Sequence, residues 1–194
     1  PCGVERIVLV QMSYYQDDNR YMLDVMREHP GVFGGIGIVD PEGVDPAQQM
    51  GELYDEGVRG IRVYAVGDVD PSAWCDSAGH EAMWAAGADL GMALCPLIGV
   101  DGLSALARRC ESHADTPVVI DHLARIGTSG ALRSEDIDAL CALARFEQVH
   151  VKVSAFYALS PAGAPYDDLV EPIRRVVEAF GADRLMWASD APYQ

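Results

Sequence analysis

A chain of 194 residues is long enough for a domain with a substantial core, and a hydrophobic content of 49% is typical of globular proteins and excludes a disordered chain. The net charge of −16 argues against nucleic acid and anionic membranes as partners, because phosphate groups are bound by clustered Lys and Arg. The five cysteines show no paired spacing and no apolar run could span a bilayer, so we expect reduced thiols and a cytoplasmic protein.

Short apolar runs alternate with helical patterns along the whole chain. Seven runs are predicted to be strands, at residues 6–13, 33–39, 60–64, 92–98, 117–122, 149–154 and 185–189, the fourth of them interrupted at Pro96. Helices are predicted between them, at residues 21–28, 47–56, 81–90, 103–111, 134–145 and 167–180. Residues 65–79 contain Gly, Asp and Pro and are predicted to form a longer loop, of the kind that often borders a functional site.

The strict alternation of strands and helices predicts one parallel α/β domain that spans residues 1–194. A doubly wound sheet would usually show a Gly-rich phosphate turn after its first strand, whereas residues 11–15 read Gln-Met-Ser-Tyr-Tyr. A (β/α)8 TIM barrel takes about 250 residues. Seven strands in this chain therefore favour a TIM barrel that lacks one unit and is truncated at both ends.

Two of the apolar runs end on proton-active residues, His122 after residues 118–121 and Asp190 after residues 185–189. In parallel α/β folds the loops that follow the strands carry the chemistry. Histidine exchanges protons near neutral pH, and a carboxylate can accept a proton from water or bind a metal. These two residues are therefore candidates for a general base, a general acid or a metal ligand; the alternative is an ion pair that only closes the edge of the sheet.

Several other side chains are candidates for binding a substrate. Arg62 and Arg125 could hold a carboxylate through paired hydrogen bonds, and the alternative for each is a surface salt bridge. Lys152 stands among valines on a strand, where a cation is costly unless it is paired or used. Neutral hydrogen bonds at the rim of a site could come from four further residues: Ser13, Gln11, Tyr64 and Ser154.

The motifs of this chain resemble those of the amidohydrolase-2 family of TIM-barrel hydrolases, lactonases and decarboxylases. The resemblance is strongest at residues 183–192 (DRLMWASDAP), which are similar to the last-strand signature, and at residues 121–125 (DHLAR), which are similar to the strand-six motif. Residues 151–154 (VKVS) resemble the strand-seven motif and residues 57–62 (GVRGIR) the strand-four motif. Residues 3–19 resemble the strand-two region of the pyrone dicarboxylate lactonase branch.

This resemblance also carries an expectation about metals. It implies that the chain starts after strand one, which holds the metal-binding His-x-His of the family, and ends before the last helix. The strand-five ligand, commonly His, falls near residues 95–97, where this chain has Cys95-Pro96-Leu97. A buried thiol is the favoured interpretation of Cys95, and a nucleophile is the alternative. We therefore expect no metal in this chain, although a divalent metal such as zinc remains open for a longer parent protein.

Three functions follow as hypotheses. The first is a lactone or ester hydrolase acting on a carboxylated small molecule, in which Asp190 activates water, His122 assists at the carbonyl or leaving group, and Arg62 and Arg125 hold carboxylates. The second is a metal-dependent decarboxylase on the same scaffold, with Asp190 as a ligand. The third is a domain that binds a ligand without turnover. An open barrel has two unpaired strand edges, which favours homo-oligomers.

Overall fold

The computed structural model describes residues 3–65 and 70–192. Within them a seven-stranded sheet follows chain order, with each strand beside the next one in the sequence. The strands are β1 (Ile7–Val10), β2 (Phe33–Ile38), β3 (Val58–Ala65), β4 (Ala93–Ile98), β5 (Val118–Ile120), β6 (Val149–Val153) and β7 (Leu185–Trp187). The α-helices are α1 (Arg20–Glu28), α2 (Pro46–Asp55), α3 (Ala78–Leu90), α4 (Leu103–Ser112), α5 (Ser134–Cys141), α6 (Phe156–Leu159) and α7 (Val170–Phe180).

The strand pairings are parallel wherever the register is defined: β1 with β2, β2 with β3, β5 with β6, and β6 with β7. Parallel neighbours require a crossover connection, which a helix supplies here as the alternating sequence pattern predicts. The predicted loop at residues 65–79 lies partly outside the described residues. Its last residues are helical, since α3 begins at Ala78.

Two helices begin earlier than predicted because of their caps. The carboxylate of Asp45 accepts a hydrogen bond of 2.9 Å from the backbone N–H of Gln48, and Pro46 occupies the first turn of α2. The hydroxyl of Ser77 accepts a hydrogen bond of 3.3 Å from the backbone N–H of His80, so α3 starts three residues before the predicted Glu81. Each cap satisfies a backbone donor that the helix itself leaves without an acceptor.

The prediction that Pro96 interrupts the fourth strand is wrong. Strand β4 continues from Ala93 to Ile98 through this residue. The fixed φ of proline is compatible with extended backbone, so the strand loses one N–H donor but keeps its direction. The first strand is shorter than predicted: β1 ends at Val10, and Ser13–Tyr15 forms a 3₁₀-helix instead of a strand end.

The predicted strand at residues 117–122 also ends early, and this difference matters for the site. Strand β5 stops at Ile120, and residues 121–125 form a turn. His122, Leu123, Ala124 and Arg125 all have positive φ, between 50° and 56°. A left-handed conformation costs a residue with a side chain about 1–2 kcal/mol, so a run of four is not what sequence patterns predict.

The chain divides into two compact units. The first holds residues 3–63, 76–95 and 115–117, among the residues that the structure describes. Its fully buried side chains include Met50, Ile61, Met83 and Trp84. Asn19 is buried before α1, where its side-chain amide donates to the Ile38 carbonyl over 2.8 Å and its oxygen accepts from the Ile38 N–H over 3.0 Å. These two hydrogen bonds fix the start of α1 to the end of β2.

The second unit holds residues 64–65, 70–75, 96–114 and 118–192, again among the described residues. The fully buried apolar side chains of its core include Ile98, Leu106, Ile120, Leu140 and Leu169. Strands β5, β6 and β7 lie side by side within this unit. Their carboxyl ends, and the residues that follow them, therefore meet at one edge of the sheet.

The described cysteines, Cys75, Cys95, Cys110 and Cys141, remain as thiols. Burial raises the pKa of the Cys110 thiol to about 12, with a smaller contribution in the same direction from Cys75. Cys2 lies outside the described residues. No helix in the part of the chain that the structure describes is long and apolar enough to cross a membrane.

Candidate active site

His122 follows β5 and is held by a residue that follows β6. Its Nδ1 lies 2.8 Å from the hydroxyl of Ser154, and both residues are buried. Ile120 in β5 pairs with Val151 in β6 in parallel register. The segments that follow these two strands therefore run side by side, and their residues meet. A partner on Nδ1 fixes the orientation of an imidazole ring and leaves Nε2 directed elsewhere.

The Nε2 atom of His122 is directed at Asp190, whose Oδ1 lies 3.5 Å away. This separation is longer than the usual 2.7–3.2 Å of an N–H···O hydrogen bond, so Oδ1 remains able to accept a proton from another group. Asp190 follows β7 in a left-handed conformation with φ of 56°. The structure thus brings together the two residues that the sequence selected, while keeping 21% of the Asp190 side chain exposed.

Sequence reasoning did not select Tyr157, which contacts the same carboxylate. Its hydroxyl donates a hydrogen bond of 2.8 Å to Oδ2 of Asp190. Tyr157 lies in the four-residue helix α6, three residues after Ser154. A helix of one turn has no measurable periodicity, so no pattern predicted α6, and only the proximity of Tyr157 to Ser154 in the sequence could have drawn attention to it.

A buried ion pair lies directly beside this group. The Lys152 ammonium donates a hydrogen bond to Oδ1 of Asp121. The Asp121 side chain is fully buried, and 10% of the Lys152 side chain is exposed. Asp121 is the residue before His122, and Lys152 lies two residues before Ser154. The pair therefore joins the end of β5 to β6 immediately before the His122–Ser154 contact, and the ammonium of Lys152 is engaged within the fold.

Arg125 ends the left-handed turn and is half-buried. Its backbone carbonyl accepts two bonds from Thr128, one of 3.2 Å from the N–H and one of 2.9 Å from the hydroxyl. Within residues 3–65 and 70–192, its guanidinium makes no ion pair or hydrogen bond. It is thus a cation close in sequence to His122 that remains available to an anionic ligand.

The other predicted binding residues are distributed over both units. Ser13 is exposed in the first unit, in the short 3₁₀-helix after β1. Gln11 is buried, and its amide donates to the Asp18 carbonyl over 2.6 Å, so it stabilises the loop that leads to α1. Arg62 is half-buried in the first unit, and Tyr64 is half-buried in the second. Cys95 is buried, and its Sγ lies 3.9 Å from the Ala93 carbonyl oxygen.

A metal site needs more ligands than this group supplies. Structural and catalytic zinc sites take three or four N, O or S ligands. Among residues 3–65 and 70–192, no cluster of three or more His, Cys, Asp or Glu side chains could hold a metal ion. His122 and Asp190 are two such groups, so the described residues do not fit a complete metal site.

In TIM-barrel enzymes the residues that follow the strands carry the chemistry, and here His122 follows β5 and Asp190 follows β7, with β6 between the two strands. The chain belongs to the amidohydrolase family, whose profile (Amidohydro_2) matches residues 2–194. The resemblance described from the motifs is thereby confirmed.

Curated relatives of this chain include two lactone hydrolases. The chain is 29% identical over 193 residues to a 4-sulfomuconolactone hydrolase from Rhizobium radiobacter, covering 98% of this chain and 62% of that protein. It is 34% identical over 194 residues to an L-fucono-1,5-lactonase from Burkholderia ambifaria, covering 98% of this chain and 66% of that protein. The chain thus spans less than two thirds of the length of these two relatives.

The fold matches that of solved amidohydrolases. An amidohydrolase from Burkholderia multivorans with bound HEPES superposes with a TM-score of 0.83 at 21% identity, over 97% of this chain and 69% of that protein. A second crystal form of that protein, matched with a TM-score of 0.81, has bound zinc. These matches confirm the predicted fold, an incomplete (β/α)8 TIM barrel.

Proposed function

We propose that this protein hydrolyses a lactone of a carboxylated small molecule. The observation that carries the proposal is the pair formed by His122 Nε2 and Asp190 Oδ1 at 3.5 Å, oriented on its two sides by Ser154 and Tyr157. Membership of the amidohydrolase family and the two relatives named as lactone hydrolases support the same reaction class.

In the proposed reaction, Asp190 acts as the general base. Its carboxylate accepts a proton from a water molecule as the water oxygen attacks the lactone carbonyl carbon. The ring C–O bond then breaks, and the departing oxygen takes a proton from the imidazolium of His122, which gives an open-chain hydroxy acid. Nε2 of His122 faces Asp190, and the two groups can therefore exchange the proton that resets the pair.

The charges of the substrate would be met by arginines. Arg125 has an uncommitted guanidinium close in sequence to His122, and Arg62 remains the second candidate for a carboxylate. Tyr64 and Ser13 are proposed to contribute neutral hydrogen bonds. Lys152 and Ser154 were candidates for substrate contacts as well, and their observed partners, Asp121 and His122, favour a role in orienting the site.

Ring opening of a panel of lactones tests the proposal, because hydrolysis releases a proton that a pH indicator detects. The panel includes sulfomuconolactone, L-fucono-1,5-lactone and a dicarboxylated pyrone. We expect turnover of at least one carboxylated lactone, and a loss of about 10²–10⁴-fold in kcat for Asp190→Asn. Asp183→Asn, at an exposed position before β7, is the matched control and should retain full activity.

Two outcomes would replace this proposal. Release of CO₂ in place of ring opening would establish the decarboxylase hypothesis. Calorimetric binding of a lactone without turnover, and with no effect of Asp190→Asn, would identify a binding domain. Equal activity of the Asp190→Asn and wild-type proteins would remove Asp190 from the role of base.

A further inference from the structure

Both carboxylate oxygens of Asp190 have a partner in this structure. Oδ1 faces His122 Nε2 at 3.5 Å, and Oδ2 accepts a hydrogen bond of 2.8 Å from the hydroxyl of Tyr157. We infer that Tyr157 is a positioning residue that holds the Asp190 carboxylate in the orientation in which Oδ1 faces His122. This inference rests on the proposed function, in which Asp190 is the base.

The orientation of the Asp190 side chain needs such support because Asp190 does not lie in a helix or strand that would fix its backbone. Strand β7 ends at Trp187, and Asp190 lies three residues further on, outside regular secondary structure. Its left-handed φ of 56° is a conformation that persists only when the surroundings favour it. A carboxylate that is 21% exposed can rotate about its side-chain bonds, and a bond to one oxygen limits that rotation.

Tyr157 can provide this support because its own segment is well anchored. Ser154, three residues earlier, is buried and bound to Nδ1 of His122. Leu159, two residues later, is buried, and its backbone carbonyl packs so closely against Gly127 that a Cβ built there would lie 1.9 Å from the oxygen. The segment from Ser154 to Leu159 thus contacts both members of the pair, His122 through Ser154 and Asp190 through Tyr157.

Kinetic measurements on a variant that lacks the Tyr157 hydroxyl distinguish positioning from substrate binding. The Tyr157 hydroxyl has its proton committed to Oδ2, and 39% of the residue is exposed. If that bond serves to orient the base, its loss should slow the chemical step without weakening the binding of substrate. If the hydroxyl instead contacted the substrate in both ground state and transition state, its loss would raise KM.

Tyr157→Phe tests this inference, since it removes the hydroxyl and keeps the ring. We expect kcat to fall about 10-fold or more, as for the loss of one hydrogen bond to a charged group, with KM changed by less than about twofold. Tyr166→Phe is the matched control. The ring of Tyr166 contacts the ring of Phe156, at a centroid distance of 6.2 Å, and Tyr166 lies outside the His122–Asp190 group.

A second measurement is independent of turnover. Hydrogen–deuterium exchange of the peptide covering residues 185–192 should be faster in Tyr157→Phe than in the wild-type protein, and unchanged in Tyr166→Phe. If no lactone is hydrolysed, the proposed function fails, and the exchange result still decides whether Tyr157 holds this loop. Wild-type kcat together with wild-type exchange in Tyr157→Phe would overturn the inference, and so would a loss confined to KM.

Discussion

Arg125 is a candidate for binding a carboxylate because of its place in a turn. The left-handed conformation of residues 122–125 places it at the end of the segment that begins with His122. Its guanidinium makes no hydrogen bond or ion pair within the part of the chain that the structure describes. A half-buried cation of this kind is suited to a carboxylate, which guanidinium binds through two parallel hydrogen bonds.

We therefore expect Arg125→Met to weaken the binding of a carboxylated lactone by about 1.5–3 kcal/mol, the value of a hydrogen bond to a charged group. Isothermal titration calorimetry with Asp190→Asn, which would bind without turnover, provides the measurement. Arg133→Met is the control, since Arg133 is exposed and lies before α5. Equal affinities of the two arginine variants would return Arg125 to the class of surface cations.

The ion pair of Lys152 with Asp121 gives a second prediction for single residues. Removing one member of a buried pair leaves an uncompensated charge, which costs about 3–5 kcal/mol. Lys152→Met should therefore lower the free energy of unfolding by up to about this amount, because Asp121 is fully buried and loses its lysine partner. Urea unfolding followed by circular dichroism measures the difference.

The double variant Asp121→Asn with Lys152→Met separates the effect of the buried charge on stability from the effect of lysine packing. It removes both charges and should recover most of the stability that the single variant loses. A double variant as unstable as Lys152→Met alone would show that packing of the lysine side chain, and not the buried charge, determines the effect.

At the scale of elements, the connections after the strands determine the site more than the strands do. Strands β5 and β7 have only three residues each, and the candidate side chains His122 and Asp190 lie beyond them. The turn after β5 is left-handed over four residues, and it is followed by Gly127 at φ of +100°. This glycine has to approach the backbone of Leu159, in α6, which ties the turn to the segment that carries Tyr157.

Gly127→Ala tests the importance of this contact. Both Gly127 and Gly91 have positive φ, which costs alanine about 1–2 kcal/mol, but only Gly127 would place a Cβ 1.9 Å from a backbone oxygen. We expect Gly127→Ala to be less stable than Gly91→Ala by a further amount of about 1–3 kcal/mol, as for overpacking. Thermal and urea unfolding of the two variants provide the measurement, and equal losses would contradict the contact.

At the scale of the whole molecule, the strand order places β1 and β7 at the two ends of the sheet. Apolar side chains are exposed on both strands, with Val8 at 60% and Trp187 at 70%. Terminal strands offer backbone groups to another chain, and exposed apolar side chains add to that tendency. Self-association of this chain therefore stays a prediction, which sedimentation velocity over a range of concentrations can test.

Metal content is a second property of the whole molecule. Because the described residues bring together two of the three or four ligands that zinc requires, we expect extensively dialysed protein to hold no stoichiometric metal. Elemental analysis by mass spectrometry is the direct measurement. One zinc per chain that survives a chelator would contradict this expectation, and Asp190→Asn would then show whether Asp190 is among the ligands.

The sequence alone determined the order of elements, the fold class and the pair His122 and Asp190. Apolar runs and helical periodicity are local signals, and parallel strands necessarily bring the residues after them to one edge. It did not determine the left-handed turn, the role of Tyr157 or the pairing of Lys152 with Asp121. These depend on contacts between residues about 30 positions apart, where the register of β5 against β6 and the packing of α6 decide which polar groups meet. Local preference opposes the turn, and only the surrounding tertiary structure can hold four residues in that conformation.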